Sequence, residues 1–332
     1  MPLAELRHIP PSEPGPNAKY RRALLAEAKG DPKFQACLKE LCRTDVSFWV
    51  STFCMTYDPR LKCPTTPFAL YDFQKMACQR IEEAANDGED ICMGASWLCL
   101  AALLHRWLFR PDQAILLVSR NESYVDGRGN PKSLFWKLDA MLGHLPIWML
   151  PRYDRKKLSL KNMQNGSIID GESTTGDVAR GDRRSVVLLD EFAAFAPGDD
   201  FRALSSTRDV SPCRIFLSTP CGASNAFATV AKNSSVRQVR LHWADHPKKG
   251  LGKFRDSKGR WRSPWYDKEV TRCSSPIEAA QELDIDFAGS TGAFFDHERL
   301  DYIAKRHVRP SMVRGDMEFG DDPKQCSFQK SP

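Results

Sequence analysis

The sequence contains no apolar run long enough to cross a membrane, because no stretch approaches the roughly 18 consecutive apolar residues that a spanning helix needs. Residues 1–8 also lack the basic and then apolar pattern of an export signal. The sequence therefore indicates neither a membrane-spanning nor an exported protein. We therefore expect a soluble protein that works in the cytoplasm and has no membrane partner.

Cysteine motifs are missing too, since none of the 11 cysteines forms a Cys-x-x-Cys pair. An odd, scattered set of cysteines is typical of a reducing compartment, where most of these side chains are small buried apolar groups. With 332 residues, 42% of them hydrophobic, the chain is long enough for one large α/β core and a smaller appendage. The net charge of +6 only weakly favours a polyanionic partner.

A short apolar run that ends in two acids is the central feature of the sequence. Residues 185–189 lead directly into Asp190 and Glu191. Such a run predicts a buried parallel strand whose carboxyl end opens onto a ligand crevice. In P-loop NTPases an acid at this place holds Mg²⁺, and the next acid orients and deprotonates the attacking water. The alternative is a core strand that ends in two surface acids.

Further strands and helices are predicted around this feature. The strands cover residues 113–119, 167–170, 214–218 and, at an edge of the sheet, 236–243. The helices lie N-terminal to residue 55 and over residues 98–109 and 134–142. This order predicts an α/β fold with a mostly parallel sheet flanked by helices and a helical N-terminal subdomain. We expect the strand at 185–190 to be central and adjacent to the strand at 214–218.

A phosphate loop is present in damaged form at residues 94–96, ahead of the helix at 98–109. Backbone amides at such a helix start bind phosphates, and the Ser96 hydroxyl is a ligand for Mg²⁺. The standard pattern G-x-x-x-x-G-K-[ST] is not met, because Ala95 stands where its lysine would be. No lysine or arginine occurs between Ile81 and His105, and no apolar strand is predicted before the loop.

Phe68 and Gln74 precede this loop at the start of a predicted helix. A glutamine amide can read the edge of an adenine while an aromatic ring covers its face. The alternative is a helix N-terminus with core aromatic residues and a solvated glutamine.

A basic segment that also contains aromatic residues follows the predicted sheet. Its members are Lys248, Lys249, Lys253, Phe254, Arg255, Lys258, Arg260, Trp261 and Arg262. Such a segment can follow DNA phosphates without reading the base sequence. The alternative is an exposed hairpin that its charges keep soluble.

The order of these motifs resembles the large subunit of the tailed-phage DNA-packaging terminase over about residues 45–295. The matching stretches are WVSTF at 49–53, YDPR at 57–60, FALYDFQ at 68–74, MGASW at 93–97, RG at 180–181, LDEFA at 189–193, STPCG at 218–222, NAF at 225–227 and AQELDID at 280–286. The resemblance implies a P-loop NTPase of the additional-strand catalytic glutamate class. It implies an ATPase that pumps double-stranded DNA into a prohead and is normally joined to a C-terminal RNase H-like nuclease.

The resemblance also implies a role for each candidate site residue. The implied site consists of Phe68 and Gln74 at the adenine, Gly94, Ala95 and Ser96 at the phosphates, Asp190 beside Ser96 at Mg²⁺, Glu191 as the catalytic glutamate, and Ser218 and Thr219 at the γ-phosphate. The implied cofactors are ATP and Mg²⁺.

One departure from the family bears on activity. In relatives with this form of the loop, a cation precedes the methionine by a few residues, where this chain has Glu89, Asp90 and Ile91. We therefore expect a shortened loop that binds ATP weakly and supports only poor hydrolysis. An arginine from elsewhere, such as Arg180 or one of a neighbouring subunit, would substitute in part. Inserting a basic residue with flanking loop residues between Ile91 and Met93 should raise both binding and hydrolysis.

The resemblance implies three segments: a helical N-terminal subdomain at 1–66, a P-loop ATPase core at 67–245, and a basic loop and linker at 246–332. The last segment leads toward a nuclease domain for which the chain has no room. The implied partners are double-stranded DNA, the terminase small subunit, the portal of the prohead and further copies of the chain. The implied location is the cytoplasm of a bacterial host, with the gene carried by a virus or prophage.

Two other functions remain open at the level of sequence. A helicase-type ATPase shares the adenine-region glutamine, the phosphate loop and the Asp-Glu pair, but it needs a second domain, and too few residues follow Ser218 for a full one. A non-catalytic remnant that binds partner subunits or DNA without turnover would explain the missing cation.

Overall fold

A computed structural model of the chain describes residues 10–174, 178–257 and 259–290, together with residues 305–306, 312–314 and 317–319. Residues 1–290 form one unit, and residues 291–332 form a second. In the second unit, the strands Met312–Arg314 and Met317–Phe319 pair in antiparallel fashion. Much of the predicted linker at 246–332 therefore lies outside the described residues.

The N-terminal region is helical, as predicted. Its helices are α1 (Pro14–Ala28), α2 (Pro32–Thr44) and α3 (Val46–Phe53). The side chain of Asp31 caps α2 and that of Asp45 caps α3, because each accepts hydrogen bonds from backbone amides of the first helical turn. All residues of α3 are buried, which explains why its sequence is apolar on most sides.

The first unit contains further helices. They are α4 (Asp72–Asp87), α5 (Ser96–Phe109), α6 (Glu122–Asp126), α7 (Leu134–Leu142), α8 (Asp199–Ser206), α9 (Ala226–Lys232), α10 (Pro264–Val270) and α11 (Pro276–Ala279). The helix predicted at 134–142 is confirmed, and the one predicted at 98–109 begins two residues earlier. Among the described residues, no helix combines the length and the apolar character that crossing a membrane requires.

One sheet of eight strands organises the first unit. Its strands are β3 (Ile91–Met93), β4 (Ala114–Ser119), β5 (Tyr153–Lys156), β6 (Ser159–Asn162), β7 (Ile168–Ser173), β8 (Val186–Asp190), β9 (Arg214–Leu217) and β10 (Arg237–Gln238). Two small hairpins lie outside this sheet. In one, β1 (Met55–Tyr57) pairs with β2 (Thr65–Pro67), and in the other, β11 (Phe254–Arg255) pairs with β12 (Trp261–Arg262). The order across the sheet is β10-β3-β9-β8-β4-β7-β6-β5. Neighbours from β10 to β7 are parallel, whereas β5 and β6 are antiparallel additions.

The Asp-Glu strand β8 is central and adjacent to β9, as predicted. Its side chains alternate between two buried faces. Val186 and Leu188 join the core beneath α5 and α7, while Val187 and Leu189 join a second core beneath α9. Burial on both faces explains the unbroken apolar run, and the predicted α/β fold with a mostly parallel, helix-flanked sheet is confirmed.

The expectation that no strand precedes the phosphate loop is wrong. β3 contains only three residues, all buried, and pairs with β10 on one side and β9 on the other. The acid Asp90, which lies directly before β3, accepts a hydrogen bond from Arg214 Nε at 3.1 Å. A buried strand of only three residues needs no long apolar run in the sequence. The ion pair with Arg214 compensates the charge of Asp90 next to this strand.

Other strand boundaries also differ from the predictions. The strand predicted at 167–170 continues to Ser173, and the strand predicted at 236–243 is only Arg237–Gln238, at the predicted edge of the sheet. The hairpin of β5 and β6 was not predicted, because β5 is largely exposed and carries no apolar alternation.

The N-terminal helices and the sheet share one hydrophobic core. Within it, the ring of Trp49 on α3 lies 5.6 Å from that of His105 on α5. Because this core contains residues of both segments, it does not mark a boundary between residues 1–66 and residues 67–245, and the division stays a prediction.

Arg21 ties α1 to the end of α3. Its buried guanidinium donates hydrogen bonds to the carbonyl oxygens of Val50, Ser51 and Cys54. Each of these oxygens also accepts a second hydrogen bond, from Cys54, Asn17 and Phe68 respectively. We expect Arg21→Ala to lower the free energy of unfolding by about 2–4 kcal/mol in urea titrations, because the substitution removes several buried hydrogen bonds from a charged donor. The matched change at exposed Arg22 should cost less than about 0.5 kcal/mol. Equal effects would show that the bonds do not stabilise the protein.

Candidate nucleotide site

The carboxyl ends of β3, β9 and β8 lie level with one another. In the parallel register, Leu217 at the end of β9 pairs with Met93 on one side and with Asp190 on the other. The loops that follow the three strands therefore meet at one edge of the sheet, where open α/β sheets bind ligands. This edge brings together three motifs that are far apart in the sequence.

Gly94 begins the loop after β3 and lies against Ser218. A side-chain carbon at Gly94 would stand 3.1 Å from the Ser218 carbonyl oxygen, so the close approach of the two backbones favours glycine. Ser218 donates its backbone amide to the Met93 carbonyl at 3.1 Å. Its hydroxyl accepts a hydrogen bond from the Ala193 amide at 3.2 Å. Ser218 thus connects the end of β9 to both neighbouring loops.

Ser96 and Asp190 form the central contact of the site. The Ser96 hydroxyl donates a hydrogen bond of 2.8 Å to Asp190 Oδ1 across 94 positions of sequence. Ser96 is the first residue of α5, and Asp190 is the last residue of β8. The two oxygen ligands that the resemblance assigns to Mg²⁺ are therefore adjacent.

Asp190 is a buried carboxylate, with only 5% of its surface exposed. Burial raises its pKa to about 6, while the charge of Lys137 and the hydrogen bond from Ser96 act in the opposite direction and Glu191 adds a smaller increase. A buried carboxylate with so little compensation is a strong ligand for a cation that replaces its lost solvation.

Glu191 follows β8 directly and has a left-handed backbone conformation, with φ 55° and ψ 40°. Such a conformation costs a residue with a side chain about 1–3 kcal/mol and is concentrated at functional sites. The turn leads into the short 3₁₀ helix Phe192–Ala194 and leaves Glu191 exposed beside buried Asp190. The two consecutive acids therefore have opposite environments.

The connection between β3 and α5 consists of Gly94 and Ala95 alone. The standard phosphate loop has five residues before its second glycine, whereas here β3 ends directly before Gly94. Ala95 has an extended backbone, with φ −172°, and is partly exposed. The short connection offers few backbone amides to a phosphate chain and contains no cation.

Phe68 and Gln74, the two residues predicted to bind an adenine, both make contacts within the protein. Phe68 is 9% exposed and packs in the main core. Gln74 lies in the first turn of α4, where its side-chain oxygen accepts a hydrogen bond from the Tyr71 amide at 3.0 Å. This capping contact engages the acceptor of the Gln74 amide and leaves its NH₂ donors for a ligand. The adenine role of both residues stays a prediction.

Thr219 is engaged with an acid that the sequence did not single out as a site residue. Its side chain lies near Glu282, which belongs to the π-helical turn Ala280–Asp284. Burial and then the nearby Glu191 carboxylate raise the pKa of Glu282, and the Thr219 contact opposes this. The motif at 280–286 therefore contributes a carboxylate to the same edge. Only the tertiary structure reveals this, because no spacing rule links Glu282 to β8.

Arg180 lies in the turn after the undescribed residues 175–177 and is exposed. The preceding Ala179 has φ 57° and donates its amide to Glu172 Oε2 at 2.8 Å. The role of Arg180 as a substitute for the missing loop cation stays a prediction.

Lys137 is a second residue that sequence reasoning missed. It lies in the first turn of α7, next to Trp136, whose ring packs edge-on against Trp97 at 6.5 Å. Burial lowers the pKa of Lys137, and the charges of Asp190 and Glu191 act in the opposite direction. Lys137 is thus a cation whose charge acts on the Asp-Glu pair and which lies on a helix rather than in the loop.

The side chains present fit Mg²⁺ as a shared ligand of protein and nucleotide. Ser96 and Asp190 supply hard oxygen donors, which Mg²⁺ prefers, and Mg²⁺ in nucleotide sites takes its other ligands from phosphates and water. Within the ranges that the structure describes, no group of three or more His, Cys, Asp or Glu side chains forms an all-protein metal site. This donor set is consistent with a metal that arrives together with a nucleotide.

The basic segment forms the hairpin of β11 and β12, which is the alternative that the sequence left open. Its cations pack on its aromatic ring: the Arg255 guanidinium lies 4.2 Å and the Lys253 ammonium 5.1 Å from the centre of Trp261. Lys258 lies outside the described residues. Contact of this hairpin with DNA stays a prediction.

No family model and no curated protein matches the chain. Among solved structures, the chain is similar to the large terminase of bacteriophage HK97, with 16% identity, a TM-score of 0.50, and coverage of 73% of this chain and 54% of that one. It is also similar to the large terminase of a thermophilic bacteriophage in complex with ATP-gamma-S, with 10% identity, a TM-score of 0.45, and coverage of 64% and 51%. The match to the ATPase domain of the large terminase of Thermus phage P74-26 has 16% identity, a TM-score of 0.41, and coverage of 60% and 88%.

The chain spans about half the length of the first two of these structures. In its own sheet, β9 lies between β3, which leads into the loop at Gly94 and Ala95, and the Asp-Glu strand β8. The P-loop fold predicted from the sequence motifs is confirmed, and over 73% of its length the chain has the fold of a bacteriophage large terminase.

Proposed function

We propose that the chain is the ATPase motor portion of a phage terminase large subunit, which couples ATP hydrolysis to the movement of double-stranded DNA into a prohead. The observation that carries the proposal is the contact of Ser96 with Asp190, with Glu191 directly beyond, at the edge where β3, β9 and β8 end. The proposed setting is the cytoplasm of a bacterial host, with the small subunit, the portal and further copies of the chain as partners.

The chemistry of the proposal follows from the environments of the two acids. Buried Asp190 and the Ser96 hydroxyl hold Mg²⁺, which neutralises charge on the β- and γ-phosphates when it is bound. Exposed Glu191 orients the attacking water and accepts its proton, a role that requires access to solvent and to the γ-phosphate. The contacts of Ser218 with the loop after β3 and with the Asp-Glu turn support a role for Ser218 and Thr219 in responding to the γ-phosphate.

Phosphate release by the purified chain, measured with and without double-stranded DNA, tests the proposal. Hydrolysis above that of a Glu191→Gln variant, with stimulation by DNA, would support it. A chain that neither binds nor hydrolyses ATP would overturn it. Addition of proheads then distinguishes a packaging motor from another DNA-stimulated ATPase, because only a packaging motor would protect DNA from added nuclease by enclosing it.

A second candidate is a nucleotide-binding protein without turnover. The two-residue loop without a cation favours it, because the charge of the transition state would be balanced by fewer groups than in a standard P-loop enzyme. ATP binding without release of phosphate, in the presence of DNA and proheads, would select this candidate.

The shortened loop leads us to propose slow hydrolysis by the isolated chain, and Ala95→Lys tests the cause. Ala95 stands at the position of the lysine in the standard pattern and is partly exposed, so a lysine there can reach bound phosphates. We expect ATP binding at least about tenfold tighter and faster phosphate release, since one added charge at a phosphate is worth more than about 1.4 kcal/mol.

Ala95→Met is the matched control, because it adds length without charge. Equal gains from both variants, or no gain from lysine, would contradict the explanation. The insertion between Ile91 and Met93 that the sequence favours is unsuitable, because these residues form buried β3 and an insertion would shift its register against β9.

A further inference from the structure

A cavity lined by aromatic rings begins one residue from the proposed metal ligand Ser96. It has a volume of about 290 Å³, and its walls include Tyr57 of β1, Trp97 of α5 and Trp136 of α7. Trp97 directly follows Ser96, so the Cα atoms of the two residues are only about 3.8 Å apart. Pockets for small molecules commonly span roughly 300–1,000 Å³. This cavity is at the small end of that range, which suits a single flat ring system.

The three rings of the cavity meet edge to face. The ring of Trp136 lies 5.2 Å from that of Tyr57, at an angle of 69°, and 6.5 Å from that of Trp97, at an angle of 84°. All three side chains are half-buried. Because neither pair is stacked face to face, the rings keep flat faces on which a further ring can stack. Aromatic side chains of this kind are the usual platforms for nucleobases.

Hydrogen-bond acceptors complete the lining of the cavity through Asp139 and His144. The exposed Asp139 carboxylate accepts a hydrogen bond from Arg155 Nε at 3.0 Å and keeps lone pairs for further donors. His144 Nδ1 lies 2.7 Å from the Ala140 carbonyl oxygen. Since a carbonyl only accepts, Nδ1 carries the proton, and Nε2 of the neutral ring is an acceptor. Acceptors beside a base favour one with an exocyclic amino group, such as adenine.

We propose that this cavity binds the base of the nucleotide held at Ser96 and Asp190, with Trp136 stacked on an adenine. The inference rests on the proposed function and names the base subsite of the same site. It takes this role from Phe68, which packs in the main core, and from Gln74, whose side-chain oxygen is engaged by the Tyr71 amide.

Two substitutions of Trp136 in the full chain test the inference. Trp136→Leu removes the aromatic face, and Trp136→Phe keeps one. Trp265→Leu is the matched control, because Trp265 is also half-buried but packs 5.8 Å from Trp243 in a separate hydrophobic cluster.

The ligands separate the base from the phosphates. Calorimetry with Mg²⁺ gives the affinities for ATP, for inorganic triphosphate and for ITP, whose base has a carbonyl oxygen in place of the amino group. Equilibrium dialysis measures the binding of adenosine, which has no phosphate, and of a single-stranded DNA oligonucleotide. Phosphate release reports hydrolysis, and thermal unfolding reports folding.

We expect Trp136→Leu to weaken ATP binding about 5- to 100-fold, which is the usual effect of losing one stacked aromatic ring. Binding of inorganic triphosphate should change less than about twofold, because it has no base to stack. Trp136→Phe should recover most of the ATP affinity, and Trp265→Leu should match the unchanged chain. The unchanged chain should bind ATP at least about fivefold more tightly than ITP, since a carbonyl oxygen would face the acceptors of Asp139 and His144.

The possible outcomes separate this inference from the proposed function. If the unchanged chain hydrolyses ATP and Trp136→Leu binds ATP equally tightly, the inference is overturned and the proposed function stands. Equal losses for ATP and triphosphate, with a lower unfolding temperature, would make Trp136 a structural residue and would also overturn the inference. A loss confined to the oligonucleotide would assign the cavity to nucleic acid, against the inference.

Adenosine distinguishes the remaining cases. If adenosine binds to the unchanged chain but not to Trp136→Leu, and no ATP is hydrolysed, the cavity is a base site while the proposed function fails. If neither adenosine nor ATP binds to the unchanged chain, the proposed function and the inference both fail.

Discussion

Replacing Glu191 with glutamine is expected to slow ATP hydrolysis by about 10²-fold or more while leaving Mg²⁺-dependent ATP binding intact. Positioned proton transfer commonly contributes this much to a rate, and glutamine can hold a water molecule without accepting its proton. Glu191 is exposed and lies beyond the Ser96–Asp190 contact, so the substitution leaves the metal ligands in place. Phosphate release and ATP binding, measured on the same preparation, report the two steps separately.

Two comparisons make this result specific. Asp190→Ala should instead weaken Mg²⁺-dependent ATP binding, because it removes the buried carboxylate that faces Ser96. Glu27→Gln, at an exposed position of α1, should leave both properties unchanged. Small and equal effects at Glu191 and Asp190 would show that the end of β8 is structural and would remove the main support for an ATPase.

Replacing Asp190 with asparagine is expected to make the metal-free protein more stable at neutral pH. The carboxyl group titrates near 3.8 in the unfolded chain and at about 6 in the folded protein, mainly because it is buried. Since the folded state holds the proton more tightly, the unchanged protein loses stability as the pH rises from about 4 to about 6. The pKa difference corresponds to a loss of about 3 kcal/mol, which stays in full above that range.

Asparagine has no proton to lose, so the variant should lack this decline, and its stability relative to the unchanged protein should rise by up to about 3 kcal/mol between pH 4 and pH 7. Urea unfolding of both proteins across this pH range measures the difference. Asp72→Asn, at a fully solvated carboxylate of α4, is the control and should keep the decline. Parallel pH profiles for Asp190→Asn and the unchanged protein would refute the assigned pKa. Mg²⁺ with ATP should stabilise the unchanged protein more than the variant.

Both predictions concern residues that lower the stability of the folded protein and that have a proposed role in function. Asp190 is buried and charged at neutral pH, and Glu191 has a left-handed backbone conformation. Both features destabilise the folded protein and are retained at the edge where the ligand is proposed to bind. Their coincidence at two consecutive positions is an argument for function that the Asp-Glu motif alone does not provide.

Local patterns predicted much of the fold because the burial of one or both faces of an element produces a characteristic pattern of apolar residues in its sequence. β8 is buried on both faces and is therefore continuously apolar, and α7 has an apolar face that set its bounds at residues 134–142. β3 was missed because three residues hold too little periodic signal. The hairpin of β5 and β6 was missed because the exposed strand Tyr153–Lys156 is polar.

The sequence by itself determined the order of the motifs, the Asp-Glu strand end and the absence of a cation from the phosphate loop. Only the tertiary structure decided which groups meet: Ser96 with Asp190 across 94 positions, and Ser218 with both Met93 and Ala193. The physical reason is that local pattern depends on which face a residue buries, whereas proximity depends on strand order. By inserting β9 between β3 and β8, the fold brought the carboxyl ends of three strands to one edge of the sheet, where Ser96 and Asp190 are in contact.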